Sequence, residues 1–554
     1  MNRSMDIQRY LLIGVIAVLS FMLVTEWGKF QQQHADAAPA VANAPTAPGA
    51  LPSTPTEIPA AAGSSATAVE AIADGKRLVR IRSDVLDIQI DRQGGDIVYV
   101  ALPAYSAKLD TPNAPFVLLE QSNKRAYVAK SGLAGLDSNS GRPLYQVSGD
   151  DFQLSETADA LTVTLSVETE QHLLVTKSFT LHRGNYLIDV AYHVENRGDA
   201  PWAGNFYGQL KRDNSDDPSV VKSSFGISSF LGFAINRIDT GAQKADGYHK
   251  LKFKDVEKSP LKVEQEGGWI ALVQHYFLSA WVPAADQKND YSTSAINGVN
   301  LASFVGAAQT VAPGSNGDFT ARFYAGPKDQ YRLRAISPGL DLSVDYGWLW
   351  WIAQPLFYCL TKINGLLGNW GWSIMVLTLG VKAVFFWLNA KAYMSMANMR
   401  RVQPKLVEIR ERYADDKQKQ SQEMMNLYKT EKINPIGGCL PVVVQMPVFL
   451  SLYWMLQESV ELRHAPWILW INDLSAMDPY YVLPIVMGAT MFFQQKLNPP
   501  PPDPMQAKVM QFMPIMFTFF FLWFPAGLVL YYVVNNLLSI IQQYVITKRI
   551  VKNL

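Results

Sequence analysis

Residues 372–390, WSIMVLTLGVKAVFFWLNA, constrain this chain more than any other stretch. They are long and apolar enough to cross a bilayer as one helix, yet Lys382 stands near their middle. An ammonium at that depth costs about 3 kcal/mol or more unless it meets water or a partner, so it marks function. Thr378 lies four residues before Lys382, and Asn389 lies seven after it. At about 3.6 residues per turn the three share one narrow stripe. The expectation is a membrane helix, 372–390, with one wet face.

The rest of the sequence divides around that helix. At 554 residues the chain exceeds what one core holds, so at least two domains are expected. Forty-nine Lys and Arg against 48 Asp and Glu leave a net charge of +1, which argues against binding nucleic acid through a basic face. Two cysteines, Cys359 and Cys439, are too few for a disulfide framework and are expected to be free and buried. Residues 1–30 carry Arg3 and Arg9 before an apolar run, which reads as an uncleaved anchor with a cytoplasmic N-terminus; a cleaved signal peptide is the alternative. Residues 31–75 are rich in Ala and Pro and read as a flexible linker.

Residues 76–335 alternate apolar and polar positions: Val79 and Ile81, Ile88 and Ile90, Leu161 to Val167, Tyr186 to Val194. That period of two predicts strands with one face on a core and one in water, hence a large antiparallel sandwich outside the cytoplasm. His172, His182 and His193 fall on predicted strands, but their spacing matches no metal or nucleophile motif, so catalysis is the lesser reading. Residues 341–367 are amphipathic and carry Trp348, Trp350 and Trp351, which predicts a helix lying on the outer membrane surface.

Residues 391–434 hold ten bases against six acids, a net +4 that assigns them to the cytoplasm as a helical hairpin. One helix is expected to end near Tyr413, with Asp415 or Asp416 capping the next. The hairpin methionines suit either varied partners or a packing seam. Further apolar segments at 436–457, 479–497, 507–524 and 525–546 complete six predicted spans, five of them clustered in a core at 372–546, with a short tail at 547–554. Loop charges place both termini inside.

Tyr531, Asn535, Ser539 and Gln542 follow at spacings of four, four and three and share a stripe on the last span. With Gln445 of the third span and Thr378, Lys382 and Asn389 they can line a polar recess, because such groups in hydrocarbon need partners or water. The fifth span supplies an apolar wall. A recess open inward and toward lipid suits an incoming peptide. A polar stripe that only glues helices is the plainer reading. A solute transporter or channel is the alternative function, and a tethered sugar-acting enzyme a third.

Residues 369–405, 422–456, 473–496 and 520–537 resemble the YidC/Oxa/Alb membrane protein insertase family, in its Gram-negative bacterial YidC branch. The resemblance is close over 345–547. It implies an insertase, not an enzyme, that needs no nucleotide or other cofactor. It implies work on nascent membrane proteins at the bacterial inner membrane, alone or beside the SecYEG translocon, with the translating ribosome as a further candidate partner. It further implies that the outer domain is a periplasmic β-supersandwich similar in fold to sugar mutarotases. The family's groove cation is usually arginine; Lys382 matches that position and keeps the charge without the fork of donors. Matched groove positions are Thr378, Gln445 and Tyr532, which join Asn389, Tyr531, Asn535 and Ser539. Met446, Phe449 and Phe521 match an apolar slide. Met399, Arg400, Met424 and Met425 fall in the matched hairpin.

Overall fold

A computed structural model describes residues 77–137, 141–219, 231–236, 247–431, 440–498 and 504–552, all within one compact unit. The expected anchor and linker, and Cys439, lie outside the described residues.

Residues 78–327 form two facing sheets, one of eleven strands and one of nine among the described residues. The larger sheet runs from Lys262–Glu266 through Trp202–Asp213 and Ala126–Ala134 to Leu78–Arg82. The smaller is centred on Asn316–Pro327, Leu187–Asn196 and Leu173–His182. Period-2 alternation sets the register. Ile188 sits opposite Leu181 and Phe323, and all three are buried. Burial of such a side chain contributes about 1.5–3 kcal/mol. Strand pairs are antiparallel, except that Arg80–Arg82 runs parallel to Asp151–Gln153. Gly94 and Gly95 turn the chain between two strands at positive φ, 78° and 67°, where a side chain would be strained and would strike Arg142 or Lys177. His172 is not on a strand. It takes the left-handed conformation, φ 58°, in the turn between Ala160–Glu168 and Leu173–His182, because the hairpin must reverse there.

Helix α1, Trp350–Leu367, buries Ala353, Phe357 and Leu360 on one face and leaves Trp350 and Trp351 more than half exposed on the other, with Trp348 exposed just before it. Cys359 is exposed on it, contrary to expectation, because the apolar outer face of this helix has no neighbour in the described fold. Asn369 caps the next helix by accepting from the backbone of Gly371 and Trp372.

Among the described residues, seven α-helices follow in the rest of the core and its hairpin: α2 (Trp370–Val384), α3 (Phe386–Arg412), α4 (Lys417–Thr430), α5 (Leu440–Glu458), α6 (Val482–Leu497), α7 (Pro504–Phe521) and α8 (Ala526–Lys552). The predicted single helix over 372–390 is broken: α2 and α3 meet at Phe385 with a bend of 67°. Phe385 sits at φ −89°, ψ 9°, outside helical geometry. Neither proline nor glycine stands there. Instead Gln542 of α8 donates to the Phe386 carbonyl at 3.2 Å, a side chain drawing on the backbone at the bend. Among the described residues, Ala526–Lys548 is long and apolar enough to cross a membrane by itself, and the bent pair α2–α3 passes together.

Asp416 caps α4 through the Lys419 amide, and α3 ends at Arg412. The loop between α5 and α6 ties the outer ends together. Gly527 donates to the Leu474 carbonyl, and Asn369 donates to the carbonyls of Pro466 and Trp467.

Candidate functional site, a polar recess in the helical core

The stripe on α8 meets three different helices. Gln445 of α5 donates to the Tyr531 hydroxyl at 2.7 Å. Lys382 of α2 donates to the Ser539 hydroxyl at 2.7 Å, and Ser539 donates to the Asn535 carbonyl at 2.8 Å. Gln542 reaches α3 as described. Tyr531, Asn535 and Ser539 are buried, and Lys382 is half-buried. Side-chain spacing of about four residues put these groups on one face, and that face is the contact between helices.

Lys382 has no carboxylate within ion-pair distance among the described residues; one hydroxyl is its hydrogen-bond partner. Two more polar atoms on the same helices lack partners: Nδ2 of buried Asn389 and Oδ1 of buried Asn535. A buried amide atom left unpaired costs about 1–3 kcal/mol, so these atoms mark a place for water or an incoming polar group. Thr378, also buried, turns its hydroxyl back to the Ile374 carbonyl at 2.7 Å and so spends its donor on its own helix. The bend at Phe385 puts Asn389 on a different helix axis from Thr378 and Lys382, so the stripe is folded rather than straight.

Next to the recess the rings of Phe449, Phe521 and Tyr532 pack together. Tyr532 lies 4.8 Å from Phe449 and 4.9 Å from Phe521, centroid to centroid, and the two phenylalanines are 6.4 Å apart. Phe521 is buried behind its neighbours, whereas Met446 is 47% exposed. Phe512, Ile515, Met516 and Phe519 of α7 present a continuous exposed apolar face. In the hairpin the methionines divide. Met399 and Met424 pack on the small core of Val402 and Leu406, while Met425 is exposed. Arg400 is exposed and donates to the Lys496 carbonyl at 3.2 Å.

Tyr393 is a recess residue that the sequence reading passed over. It is buried on α3 beside the Ser539 side chain. The signal was available, since Tyr393 follows Asn389 by four residues. In the sandwich, His182 pairs with Asp189 at 2.9 Å and His193 with Asp318 at 2.6 Å. Among the described residues no cluster of His, Cys, Asp or Glu could hold a metal.

Buried charge in the sandwich is paired throughout its central network. Arg142 bridges Asp96 at 2.5 Å and Asp137 at 3.2 Å. Lys177, fully buried, donates to the Gly95 carbonyl at 2.7 Å and the Ser131 hydroxyl at 2.9 Å. Burial lowers the Lys177 ammonium to about 7, with Asp96 opposing that fall.

A helical core that holds the half-buried Lys382 in a polar recess beside an apolar wall, joined to a large β-sandwich, suits a membrane-embedded protein of the insertion or translocation class. Comparison with known proteins narrows it. Residues 78–359 match the YidC periplasmic domain family, and residues 362–553 match the 60Kd inner membrane protein family. The chain is 50% identical over 558 residues to the membrane protein insertase YidC of Stutzerimonas stutzeri, with 99% of each chain covered. It is 49% identical to the YidC insertase of Cellvibrio japonicus, again with 99% of each covered. A crystal structure of an active YidC insertase aligns at 18% identity and TM-score 0.38, over 84% of this chain and 92% of that one. A galactose mutarotase-like protein from Lactobacillus casei aligns at 10% identity and TM-score 0.29, over 45% of this chain and 99% of that one. The chain belongs to the YidC family of membrane protein insertases, a family of the inner membrane with a periplasmic domain. These relatives leave the solute-transporter reading without support.

Proposed function

We propose that the recess around Lys382 receives the polar or acidic tail of a nascent membrane protein from the cytoplasm. The observation that carries this reading is a cation with one hydroxyl partner and no carboxylate among the described residues, facing helices that also hold unpartnered amide atoms. An incoming carboxylate supplies the missing charge. Recess water and the polar stripe spare it part of the cost of entering hydrocarbon, about 3 kcal/mol or more for a charge at the centre. The apolar segment that follows then moves along Met446 and the ring cluster into lipid, and its burial drives release. Bonds are neither made nor broken.

In this reading Thr378, Asn389, Gln445, Tyr531, Tyr532, Asn535 and Ser539 line the path, and Met446, Phe449 and Phe521 form its apolar side. The hairpin, with Met399, Arg400, Met424 and Met425, meets the substrate first. The chain crosses the inner membrane six times with both termini in the cytoplasm. It works alone on small proteins and beside SecYEG on larger ones, and the ribosome docks on the cytoplasmic face.

The test is insertion of a small single-span protein with an acidic outer tail, scored by protease protection in cells depleted of their own insertase. Wild type and Lys382→Arg are expected to insert it, and Lys382→Ala to fail. Equal insertion by Lys382→Ala would show that hydration and the apolar wall suffice without the charge.

A further inference from the structure

Helix α3 is tied to the core at two heights. Its first two turns lie against α8, where Gln542 donates to the Phe386 carbonyl at 3.2 Å and buried Tyr393 stands beside Ser539. From Met394 to Arg401 no residue of α3 is buried. The next that is, Val402, is covered by the hairpin's own Met399, Met424, Leu427 and Tyr428. The hairpin is also closed on itself by polar contacts. Glu431, just past α4, accepts from Lys405 at 2.6 Å and from Arg401 at 3.4 Å, and Gln420 donates to the Arg410 carbonyl at 2.9 Å. Arg400 stands outside that pairing. It is exposed, has no carboxylate partner among the described residues, and reaches across to α6, where it donates to the Lys496 carbonyl at 3.2 Å.

The end of α6 suits that contact. The last carbonyls of a helix have no partner within it, and the negative end of the helix favours a cation. Arg400 takes the Lys496 carbonyl, while Gln543 of α8 donates to the Leu497 carbonyl at 3.2 Å and to the Asn498 side chain at 3.0 Å. Gln543 is buried and its Oε1 has no partner, so it is placed there at some cost in stability. The end of α6 is thereby fastened to α8, and the hairpin is fastened to the end of α6. Arg400 lies fourteen residues beyond Phe386, about 21 Å along α3. With both ties made, α3 is a rod pinned at two points. With the Arg400 tie released, it keeps the ties at its base and can tilt.

The two ties differ in chemistry. Gln542 offers a neutral amide, whereas Arg400 is a guanidinium with five donors that spends one on a neutral carbonyl. A carboxylate offers Arg400 the opposite charge and two parallel charge-assisted hydrogen bonds. An acidic segment therefore draws Arg400 away from Lys496, and a neutral polar segment gains little by the exchange.

We infer that Arg400 is a specificity-determining catch: it holds the hairpin on the end of α6 at rest, and a carboxylate of the incoming chain takes its guanidinium and frees the hairpin to tilt. The inference rests on the substrate path proposed above and adds to it an acid-sensing step ahead of Lys382.

The test uses the full chain in proteoliposomes, with Cys359 and Cys439 replaced by serine. Spin labels are placed on cysteines at Glu411 of the hairpin and Leu537 of α8, both exposed. The probes are a synthetic peptide of the acidic substrate tail and the same peptide with its Asp and Glu changed to Asn and Gln. The label distance should be narrowly distributed at rest. The acidic peptide should broaden it, and the neutral peptide should not. Arg400→Gln should broaden it with no peptide present, and Arg400→Lys, which keeps a charged donor, should stay narrow. In insertion of single-span substrates, Arg400→Gln should slow the acidic-tailed one about fivefold and leave its neutral-tailed counterpart unchanged. Arg412→Gln, at an exposed ion pair on the same helix, is the control and should change neither readout. A narrow distribution in Arg400→Gln would overturn the inference. So would equal broadening by the two peptides or equal slowing of the two substrates, because neither effect would depend on the carboxylate. If the wild-type chain inserts neither substrate, the substrate path itself falls, while the peptide-free distances still decide whether Arg400 holds the hairpin.

Discussion

Lys177 and Lys382 are both lysines withdrawn from bulk water, and the structure treats them in opposite ways. Lys177 sits between the sheets with oxygen acceptors from Gly94, Gly95 and Ser131, and the Arg142–Asp96–Asp137 network beside it. Lys382 sits among membrane-type helices with Ser539 as its hydrogen-bond partner. Full pairing makes Lys177 a fastener that gains nothing from a visitor. Sparse pairing leaves Lys382 with unspent donors, so a visitor's carboxylate improves its surroundings. On the reading proposed above, the contrast separates a charge kept for architecture from a charge kept for work.

The largest effect is expected from breaking the fastener. Lys177→Met leaves the Gly94, Gly95 and Ser131 oxygens buried without their donor and should cost about 3–5 kcal/mol, read as unfolding of the purified full chain by tryptophan fluorescence. Lys382→Met is the counterpart. It should leave the unfolding transition within about 0.5 kcal/mol of wild type, the range of a substitution that breaks no paired network, while abolishing insertion of the acidic-tailed substrate. If both variants lose stability alike, the contrast between the two lysines collapses. Gln445→Leu leaves the Tyr531 hydroxyl buried and unpaired, a cost of about 1–3 kcal/mol, and should loosen α5 against α8 as seen by hydrogen exchange of α5 amides.

A further effect is a dependence on pH at Glu461, just beyond α5. Burial raises the Glu461 carboxyl to about 7, and the Asp329 charge adds to the rise. A folded-state value above the unfolded one means that the native state holds the proton more tightly. Its contribution is therefore complete below about pH 4.5 and is lost as pH rises toward 7. Glu461→Gln should flatten that part of the stability profile between pH 5 and pH 8, and a wild-type profile that rises over the same window would refute the assignment.

The sandwich was largely legible because alternation is a local signal. Ile188, Val190, Tyr192 and Val194 announce their strand, and each proves buried. Which strands pair was not legible, since Leu78–Arg82 joins a parallel neighbour some 70 residues on, and no local pattern encodes that. In the helical core the stripe Tyr531, Asn535, Ser539 could be read from spacing, but its partners on α2 and α5 depend on packing between helices. The bend at Phe385 left no trace in composition, since neither proline nor glycine stands there and the side chain that meets its backbone is a glutamine 156 residues away. His172 misled for a related reason. An apolar-polar rhythm on both sides of a hairpin hides the residue that turns it.

The bend has a mechanical consequence. α3 runs unbroken for 27 residues from Phe386 to Arg412, about 40 Å at 1.5 Å per residue. It is a lever whose fulcrum lies three residues from Lys382. A tilt of about 10° at Phe385 sweeps the far end of such a rod through roughly 7 Å, while the groups beside the fulcrum shift by less than about 1 Å. On the substrate path proposed above, such a tilt would carry the hairpin through a wide arc while leaving Lys382 nearly in place.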